Sequence, residues 1–389
     1  MTVSASGRVG LWLVGARGSV ATTAVCGLAA LRAGLAPATG CVTERLPGAV
    51  LPAWDDIVVG GHDLVTTSYE KRAEHLSRAG VIPHHLLAPV VPALRAADAE
   101  VRDGYHPTTH RGPQALAVRR LAADLETFRF KHELERVVVV NVASTEPPVP
   151  HVPAFESWSA LSAALDDPAL SVLPPSSVAA CAALTAGCSY VDFTPSTGVA
   201  IPALDELARH NGVPYAGRDG KTGETLLRTA LAPMFTDRAL RVLSWSGTNL
   251  LGGGDGATLA DPASAASKLR SKSDGLATLL GGPVSAPLHI DNVPDLGEQK
   301  IAWDHVTFEG FLGARMSLQF TWTGLDSALA APLVLDLTRL LAAAHASGIS
   351  GVVPELGFFF KDPLGSEEHR FDHQSATLTA WAQTLGGAR

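Results

Sequence analysis

The sequence has few cysteines and no excess of basic residues, and each shortage argues against a class of protein. Its 389 residues include four cysteines. They form no CxxC pair and have no histidine cluster beside them, which excludes the common zinc modules and disulfide scaffolds. We expect four buried, reduced thiols in a cytoplasmic protein. The net charge of −8 argues against nucleic acid as the main partner, and no carboxylates or histidines have metal-ligand spacing, so no metal is predicted.

A long uninterrupted apolar run is also missing. The stretch 9–31 is apolar enough to resemble a signal peptide or a membrane span, but Arg17 and a glycine-rich turn interrupt it. A strand, a turn and a helix account for this stretch better. We therefore expect no membrane partner.

What the sequence does contain is an alternation of apolar runs, turns and amphipathic stretches over its first 245 residues. The four valines at 137–140 are typical of a central parallel strand buried on both faces. The alternation predicts an α/β fold with a doubly wound, Rossmann-like parallel sheet. The predicted strands are 9–14, 57–59, 136–141, 190–193 and 213–216, and the predicted helices are 20–32, 114–135, 176–184, 201–210 and 225–235.

The pattern changes after about residue 244. Apolar and polar residues alternate from Arg315 to Trp322, which predicts a strand of an antiparallel sheet with one buried face. We predict 287–293 and 302–308 as its neighbours, followed by a helix at 326–345. The chain is thus divided into a doubly wound first domain (1–245), an inserted α+β domain (246–354) and a C-terminal return to the first domain (355–389).

A glycine-rich turn lies between the first predicted strand and the first helix. Glycines there let backbone amides approach a pyrophosphate, and the helix N-terminus supplies unpaired N–H donors. The spacing departs from GxGxxG, and a tight turn without a ligand is the alternative. We predict NAD as the cofactor and Asp63 as the acid at its ribose. The predicted turn contacts are Gly15, Ala16, Arg17, Gly18, Ser19 and Val20.

Short motifs follow one another along most of the chain. LVGARGSVATT begins at residue 13, NVASTE occupies 141–146, GRDGKTG occupies 217–223, and an asparagine- and glycine-rich loop occupies 249–256. LRSK follows at 269–272, KIAWD at 300–304, DSALAAP at 326–332 and FKDP at 360–363. In this order they resemble the motifs of the myo-inositol-1-phosphate synthase family of sugar-phosphate cyclases, in its archaeal or bacterial form.

The resemblance implies an enzyme that isomerises glucose 6-phosphate to 1L-myo-inositol 1-phosphate without net redox change. In that reaction NAD⁺ takes a hydride from C5, a base removes a proton from C6, the enolate closes the ring on C1, and the hydride returns. Two developing oxyanions need cations and the carbon acid needs a base, and lysine suits both roles. The implied catalytic residues are Lys221, Lys272, Lys361 and Asp304. For Asp304, a structural ion pair is an equal alternative.

The resemblance also implies binding residues and an assembly. The inserted domain carries catalytic and oligomerisation surfaces, and the family is commonly a tetramer. The candidate cofactor contacts are Asn141, Ala143 and Ser144, with Asp192 and Asp219 as further candidates at strand ends. The candidate contacts of the hexose phosphate are Thr222, Gly223, Asn249, Leu250, Asp255, Arg270, Ser271, Lys300 and Asp326.

The chain departs from the family where further lysines are expected. Leu226, Arg228 and Leu276 occupy those positions. Either Arg218 and Arg228 supply the charge, or the substrate differs, for example fructose 6-phosphate closing to a five-membered carbocycle. A net NAD-dependent dehydrogenase and a non-catalytic NAD sensor are the alternatives outside this class.

Overall fold

The computed structural model describes residues 3–4, 7–252 and 276–385, and a parallel sheet forms its centre. The strands are β1 (Val3–Ser4), β2 (Val9–Val14), β3 (Val50–Leu51), β4 (Ile57–Asp63), β5 (Val101–Asp103), β6 (Arg136–Asn141), β7 (Ser189–Asp192), β8 (Pro214–Gly217), β9 (Arg241–Leu251), β10 (Leu288–Asn292), β11 (Gln299–Glu309), β12 (Arg315–Leu325) and β13 (Gly351–Val352). Seven of them form the parallel sheet in the order β13-β8-β7-β6-β2-β4-β5. The order reverses between β2 and β6, where doubly wound sheets open a ligand crevice at the carboxyl ends of their strands.

Helices cover both faces of this sheet. They are α1 (Ser19–Arg32), α2 (Tyr69–Arg78), α3 (His84–Asp98), α4 (Gln114–Lys131), α5 (Trp158–Asp166), α6 (Pro175–Thr185), α7 (Pro202–His210), α8 (Gly223–Asp237), α9 (Asp326–Ala346) and α10 (Phe371–Ala382). Val138 and Val140 of β6 pack with α1, α3 and α9, whereas Val137 and Val139 pack with α4 and α6. The four-valine run is therefore a strand buried on both faces, as predicted.

Helix α9 is long and apolar enough, by length and composition, to cross a membrane. In the structure, however, 78% of that apolar window is buried. Val334, Leu337 and Leu341 belong to the core between α1 and the parallel sheet. Because its apolar surface is covered by protein, α9 is a core helix.

A second sheet of four strands has the order β10-β9-β11-β12 and packs one face on α8. Two expectations about it were wrong. The sheet is mixed, because β10 pairs in parallel with β9, and the 287–293 segment does not neighbour 315–322. Strands β9 and β11 lie between them. Of these two, β9 was not predicted, because Gly247 and Asn249 occupy two of its buried positions, where the period of two calls for apolar residues.

The end of the chain returns to the parallel sheet. Strand β13 pairs with β8, and α10 packs beside α8. Helix α9 also packs on the parallel sheet. The segment that does not belong to the parallel-sheet layer is therefore the one between α8 and α9, which contains β9 to β12. The division at residues 245 and 354 remains a prediction.

Candidate active site

The glycine-rich turn closes against the end of β6. Gly15 has φ +81°, and a Cβ on it would lie 2.7 Å from the Cα of Ala143, so the position requires glycine. The amides of Gly15 and Ala16 donate to the His62 carbonyl at 3.0 and 3.2 Å, which ties the turn to β4. Gly18 then leads into α1 without a side-chain cap. The first amides of α1, which have no acceptor within the helix, therefore face the crevice as anion donors.

Arg17, which breaks the expected glycine pattern, is bound to α3 and to the segment after β4. Its Nε donates to Asp98 Oδ1 at 2.8 Å and its Nη1 to the Val65 carbonyl at 2.9 Å. Its backbone amide donates to Asp63 Oδ2 at 2.6 Å. The side chain thus anchors the turn to α3 and leaves the pyrophosphate position to the backbone.

Asp63 lies at the carboxyl end of β4, the strand that neighbours β2 on the side away from β6. An acid at this place accepts the ribose hydroxyls in dinucleotide-binding folds. Besides the Arg17 amide, the carboxylate accepts the amides of Leu64 and Val65 at 2.7 and 2.8 Å, which fixes its orientation. The turn, the open first turn of α1 and this acid together fit a dinucleotide.

The start of α1 also meets the second sheet. The hydroxyl of Ser19 donates to Glu298 Oε1 at 3.3 Å, from the segment between β10 and β11. Val20 follows in the first turn of α1 and packs against its core. The second sheet therefore borders the predicted cofactor site.

The candidates at the ends of β6 and β7 form a buried pair. Asn141 Nδ2 donates to Asp192 Oδ1 at 3.1 Å and to Thr194 Oγ1 at 3.2 Å, and its Oδ1 accepts the Ala143 amide at 3.2 Å. Burial raises the pKa of Asp192 to about 7. This pair lies beneath the crevice and shapes the backbone at 143, whereas Ser144 is exposed.

Two segments that carry lysines are joined at the carboxyl end of β8. The Lys361 amide donates to the Asp219 carbonyl at 2.7 Å, and the Lys221 amide donates to the Phe359 carbonyl at 2.8 Å. This backbone ladder joins the segment after β8 to the segment before α10. The backbone segments that carry two lysines 140 positions apart in sequence are therefore adjacent.

The Lys221 side chain is buried. Its ammonium donates to Gln374 Oε1 of α10 and lies 5.9 Å from the centroid of the Phe371 ring. Burial lowers the pKa of Lys221 from 10.5 to about 7, because the charged form loses its hydration. A lysine in this state is partly neutral at physiological pH and can accept a proton.

Lys361 has a different environment. Its Nζ lies 2.8 Å from Asp219 Oδ1, and both side chains are largely buried. Asp219 has φ +61°, a left-handed conformation uncommon outside glycine, so the loop holds its carboxylate in an unusual position. The two lysines thus differ: one faces an amide and the other a carboxylate.

Asp304 belongs to a buried ionic network between α8 and the second sheet. Its Oδ1 accepts Arg228 Nη2 at 2.8 Å and Trp245 Nε1 at 2.7 Å. Arg228 Nη2 also lies 2.6 Å from Glu224 Oε1, and Glu224 Oε2 accepts Asn249 Nδ2 at 2.7 Å. Burial raises the pKa of Asp304, while the charge of Arg228 opposes that rise. The network locks the first turns of α8 onto β9 and β11.

The remaining described substrate candidates gather where α8 and α9 begin. Lys300 Nζ lies 3.1 Å from Asp326 Oδ2. Thr222 precedes α8 without capping it through its side chain, and a Cβ on Gly223 would lie 3.7 Å from Asp326 Oδ1. These four residues therefore lie close together.

Leu250, another substrate candidate, is not brought to this place. The side chain of Leu250 lies on the face of β9 opposite to Asn249, away from α8, because successive strand residues alternate. Lys272, Asp255, Arg270 and Ser271 lie outside the described residues. Within the ranges that the structure describes, no group of three or more His, Cys, Asp or Glu residues could hold a metal ion.

A family model described as myo-inositol-1-phosphate synthase matches residues 9–383. The chain belongs to the myo-inositol-1-phosphate synthase family. The predicted family is thereby confirmed, and so is NAD as the cofactor of the Rossmann-like domain.

Individual members of the myo-inositol-1-phosphate synthase family agree with this assignment. Inositol-3-phosphate synthase 1 of Bacteroides thetaiotaomicron is 34% identical over 97% of this chain and 94% of that protein. The inositol-3-phosphate synthase structure from Caenorhabditis elegans has a TM-score of 0.86 at 22% identity, over 97% of this chain and 86% of that one. A myo-inositol-1-phosphate synthase-related protein from Thermotoga maritima has a TM-score of 0.76 at 25% identity, over 96% and 98%. The chain spans about half the length of the first eukaryotic relatives it matches.

The two arginines that could replace the family's missing lysines are already paired. Arg228 is buried between Asp304 and Glu224, and Arg218 Nε lies 2.8 Å from Asp362 Oδ2. Neither brings an uncompensated charge to the crevice. Leu276, at another lysine position of the family, packs in the core beneath the second sheet.

Several residues of the site were not predicted from sequence. Gln374 contacts Lys221, and Glu224 and Trp245 complete the network around Asp304. Gln374 and Trp245 carry no local motif. A lone glutamine in an unpredicted helix gives no signal, whereas Glu224, four positions before Arg228, could have been recognised as a helical ion pair.

Proposed function

We propose that this chain is an NAD-dependent cyclase that converts glucose 6-phosphate to 1L-myo-inositol 1-phosphate. The observation that carries the proposal is the pair Lys221 and Lys361, joined by one backbone ladder at the carboxyl end of the sheet that bears the dinucleotide turn. Both are largely withdrawn from water, so their charges and protons act in a medium of low dielectric constant. Family membership supports the same reaction.

We assign the base to Lys221. With a pKa of about 7, a large fraction of this lysine is unprotonated at neutral pH, as a general base requires. NAD supplies a reversible oxidation of one substrate carbon, so that ring closure needs no other oxidant. The value of kcat/KM should then rise with pH through about 7.

We assign charge stabilisation to Lys361. Asp219 fixes the direction of its ammonium at 2.8 Å, and a preorganised cation stabilises an oxyanion without reorganising during the reaction. We assign binding of the substrate phosphate to Lys300, Arg270, Ser271 and Lys272, because their motifs resemble those of the family. Asp304 stabilises the start of α8 through its ion pair with Arg228.

A second substrate has one observation in its favour. Because Arg218 and Arg228 are paired with carboxylates, the described part of the chain does not replace the family's missing cations. Fructose 6-phosphate, closing to a five-membered carbocycle through the same cofactor cycle, is therefore the second candidate.

Product identification by NMR tests both candidates. The purified chain is incubated with NAD⁺ and either glucose 6-phosphate or fructose 6-phosphate. Inositol phosphate from the first supports the proposal, and a five-membered carbocycle from the second would move the assignment to that ring. Accumulating NADH would indicate a net dehydrogenase. Binding of NAD⁺ without turnover of either hexose phosphate would contradict a cyclase.

We also propose a homotetramer in the cytoplasm. Trp303 is 40% exposed on the face of the second sheet that points away from α8, and Phe311 and Leu312 are 88% and 89% exposed at the β11–β12 turn. Apolar residues displayed in this way are typical of contact surfaces. Light scattering coupled to size-exclusion chromatography would give four times the chain mass, and a monomer mass would contradict the assembly.

A further inference from the structure

The Lys221 ammonium is hydrogen-bonded to a residue near the C-terminal end of the described chain. Gln374 of α10, 153 positions later, presents its Oε1 to Lys221 Nζ. Both side chains are 4% exposed, so this contact lies in the protein interior. The Phe371 ring borders the ammonium from the same helix. Helix α10 therefore forms one wall of the lysine site.

Gln374 is itself fixed in orientation. Its Nε2 donates to the Glu368 carbonyl at 2.6 Å, so the amide oxygen has to face the lysine. An amide oxygen accepts a hydrogen bond but carries no net charge. It orients the Lys221 nitrogen without favouring the protonated form as strongly as a carboxylate would.

The charged groups around Lys221 are engaged elsewhere. The Glu368 carboxylate lies 2.8 Å from His373 Nδ1, Asp219 is paired with Lys361, and Glu224 of α8 contacts Arg228. Burial first and the charge of Lys221 second lower the pKa of His369, the other ionisable group nearby.

Among the residues that the structure describes, Lys221 forms no ion pair, and its side-chain hydrogen bond is the one to Gln374. We infer that Gln374 is a positioning residue, which fixes the direction of the Lys221 nitrogen and, being uncharged, leaves it able to take a proton. This inference rests on the proposed function, in which Lys221 is the base.

Two substitutions of opposite character test the inference. Gln374→Glu is isosteric and places a carboxylate against the ammonium, so the rise of kcat/KM with pH should move upward by about 1–3 pH units. Activity lost at pH 7 should then recover at higher pH. Gln374→Met removes the acceptor, so the rise should move to lower pH while the maximal kcat falls. Gln383→Glu, exposed at the end of the same helix, adds the same charge and should leave the profile unchanged.

A second readout does not depend on turnover. The pH midpoint of Lys221 acetylation by acetic anhydride, followed by peptide mass spectrometry, reports its protonation, because only the neutral amine reacts and burial slows the reaction without moving the midpoint. Lys71, whose side chain is 66% exposed, is the internal reference. We expect the Lys221 midpoint to rise in Gln374→Glu and to fall in Gln374→Met.

The outcomes separate this inference from the proposed function. If the wild-type chain forms no cyclised product but the acetylation midpoint shifts as expected, the proposed function fails, while the effect of Gln374 on the protonation of Lys221 stands. If product forms but neither profile shifts in a folded Gln374→Glu protein, the role of Gln374 is overturned. Should Gln374→Met fail to fold, the isosteric variant decides alone.

Discussion

Replacing Arg228 with methionine should destabilise the fold strongly. The guanidinium lies within 2.8 Å of both Asp304 and Glu224, and these carboxylates are 0% and 1% exposed. Methionine would fill much of the space but take the Arg228 charge away from two buried carboxylates. Breaking a buried ion pair from one side costs about 3–5 kcal/mol.

Thermal and urea unfolding measure this loss. At roughly 2–4 °C per kcal/mol for a domain of this size, the midpoint of Arg228→Met should fall by on the order of 10 °C. Arg238→Met, on the exposed residue that ends the same helix, should stay within about 0.5 kcal/mol of wild type. The double variant Arg228→Met/Asp304→Asn should recover part of the loss, because the buried Asp304 charge that lost its Arg228 partner is gone.

The destabilisation of Arg228→Met should depend on pH, in a direction set by the pKa of Asp304. Burial raises the pKa of Asp304 and Arg228 opposes the rise. Without Arg228 the folded protein keeps protons that the unfolded chain releases above about pH 4. The destabilisation should thus be small near pH 4 and grow toward pH 7. Equal midpoints for Arg228→Met and Arg238→Met, or a loss independent of pH, would refute the buried network as a source of stability.

Three further substitutions have definite expected results. Lys361→Ala removes the cation beside Asp219 and should lower kcat by about 10²–10³-fold in a product assay; a drop below fivefold would exclude an oxyanion role. Gly15→Ala forces a Cβ against Ala143, and calorimetry should show NAD⁺ binding weakened at least about tenfold. The raised pKa of Asp192, about 7, means that stability falls as pH rises from about 4 to about 7. Asp192→Asn should flatten this decline in urea titrations at pH 5 and pH 8, and an unchanged slope would disprove the assignment.

The strands and helices predicted from the sequence are those whose residue pattern is contained in one short segment. The β2–α1 turn and the valines of β6 carry their pattern within a few residues, and the structure places them as predicted. Helix α3 went unrecognised because it contains Pro89 and Pro92, which remove backbone donors and normally argue against a helix interior.

The site was predicted in part, for a related reason. Lys221, Lys361 and Asp304 belong to recognisable motifs, and the structure shows them in buried polar environments. Their partners Gln374, Asp219 and Arg228 depend on contacts between distant segments, which no local pattern reports. Leu250 was expected among the substrate contacts because it stands in a motif, but the alternation of β9 turns its side chain to the opposite face.

The central claim is that the cofactor is used and restored within one turnover, and the fate of the C5 hydrogen tests it most directly. Glucose 6-phosphate deuterated at C5 is incubated with the chain and a small amount of unlabelled NAD⁺, and the product is analysed by NMR and mass spectrometry. The account predicts inositol phosphate in large excess over NAD⁺, with deuterium retained at the former C5. Deuterium lost from the product, or product limited to one equivalent of NAD⁺, would contradict it.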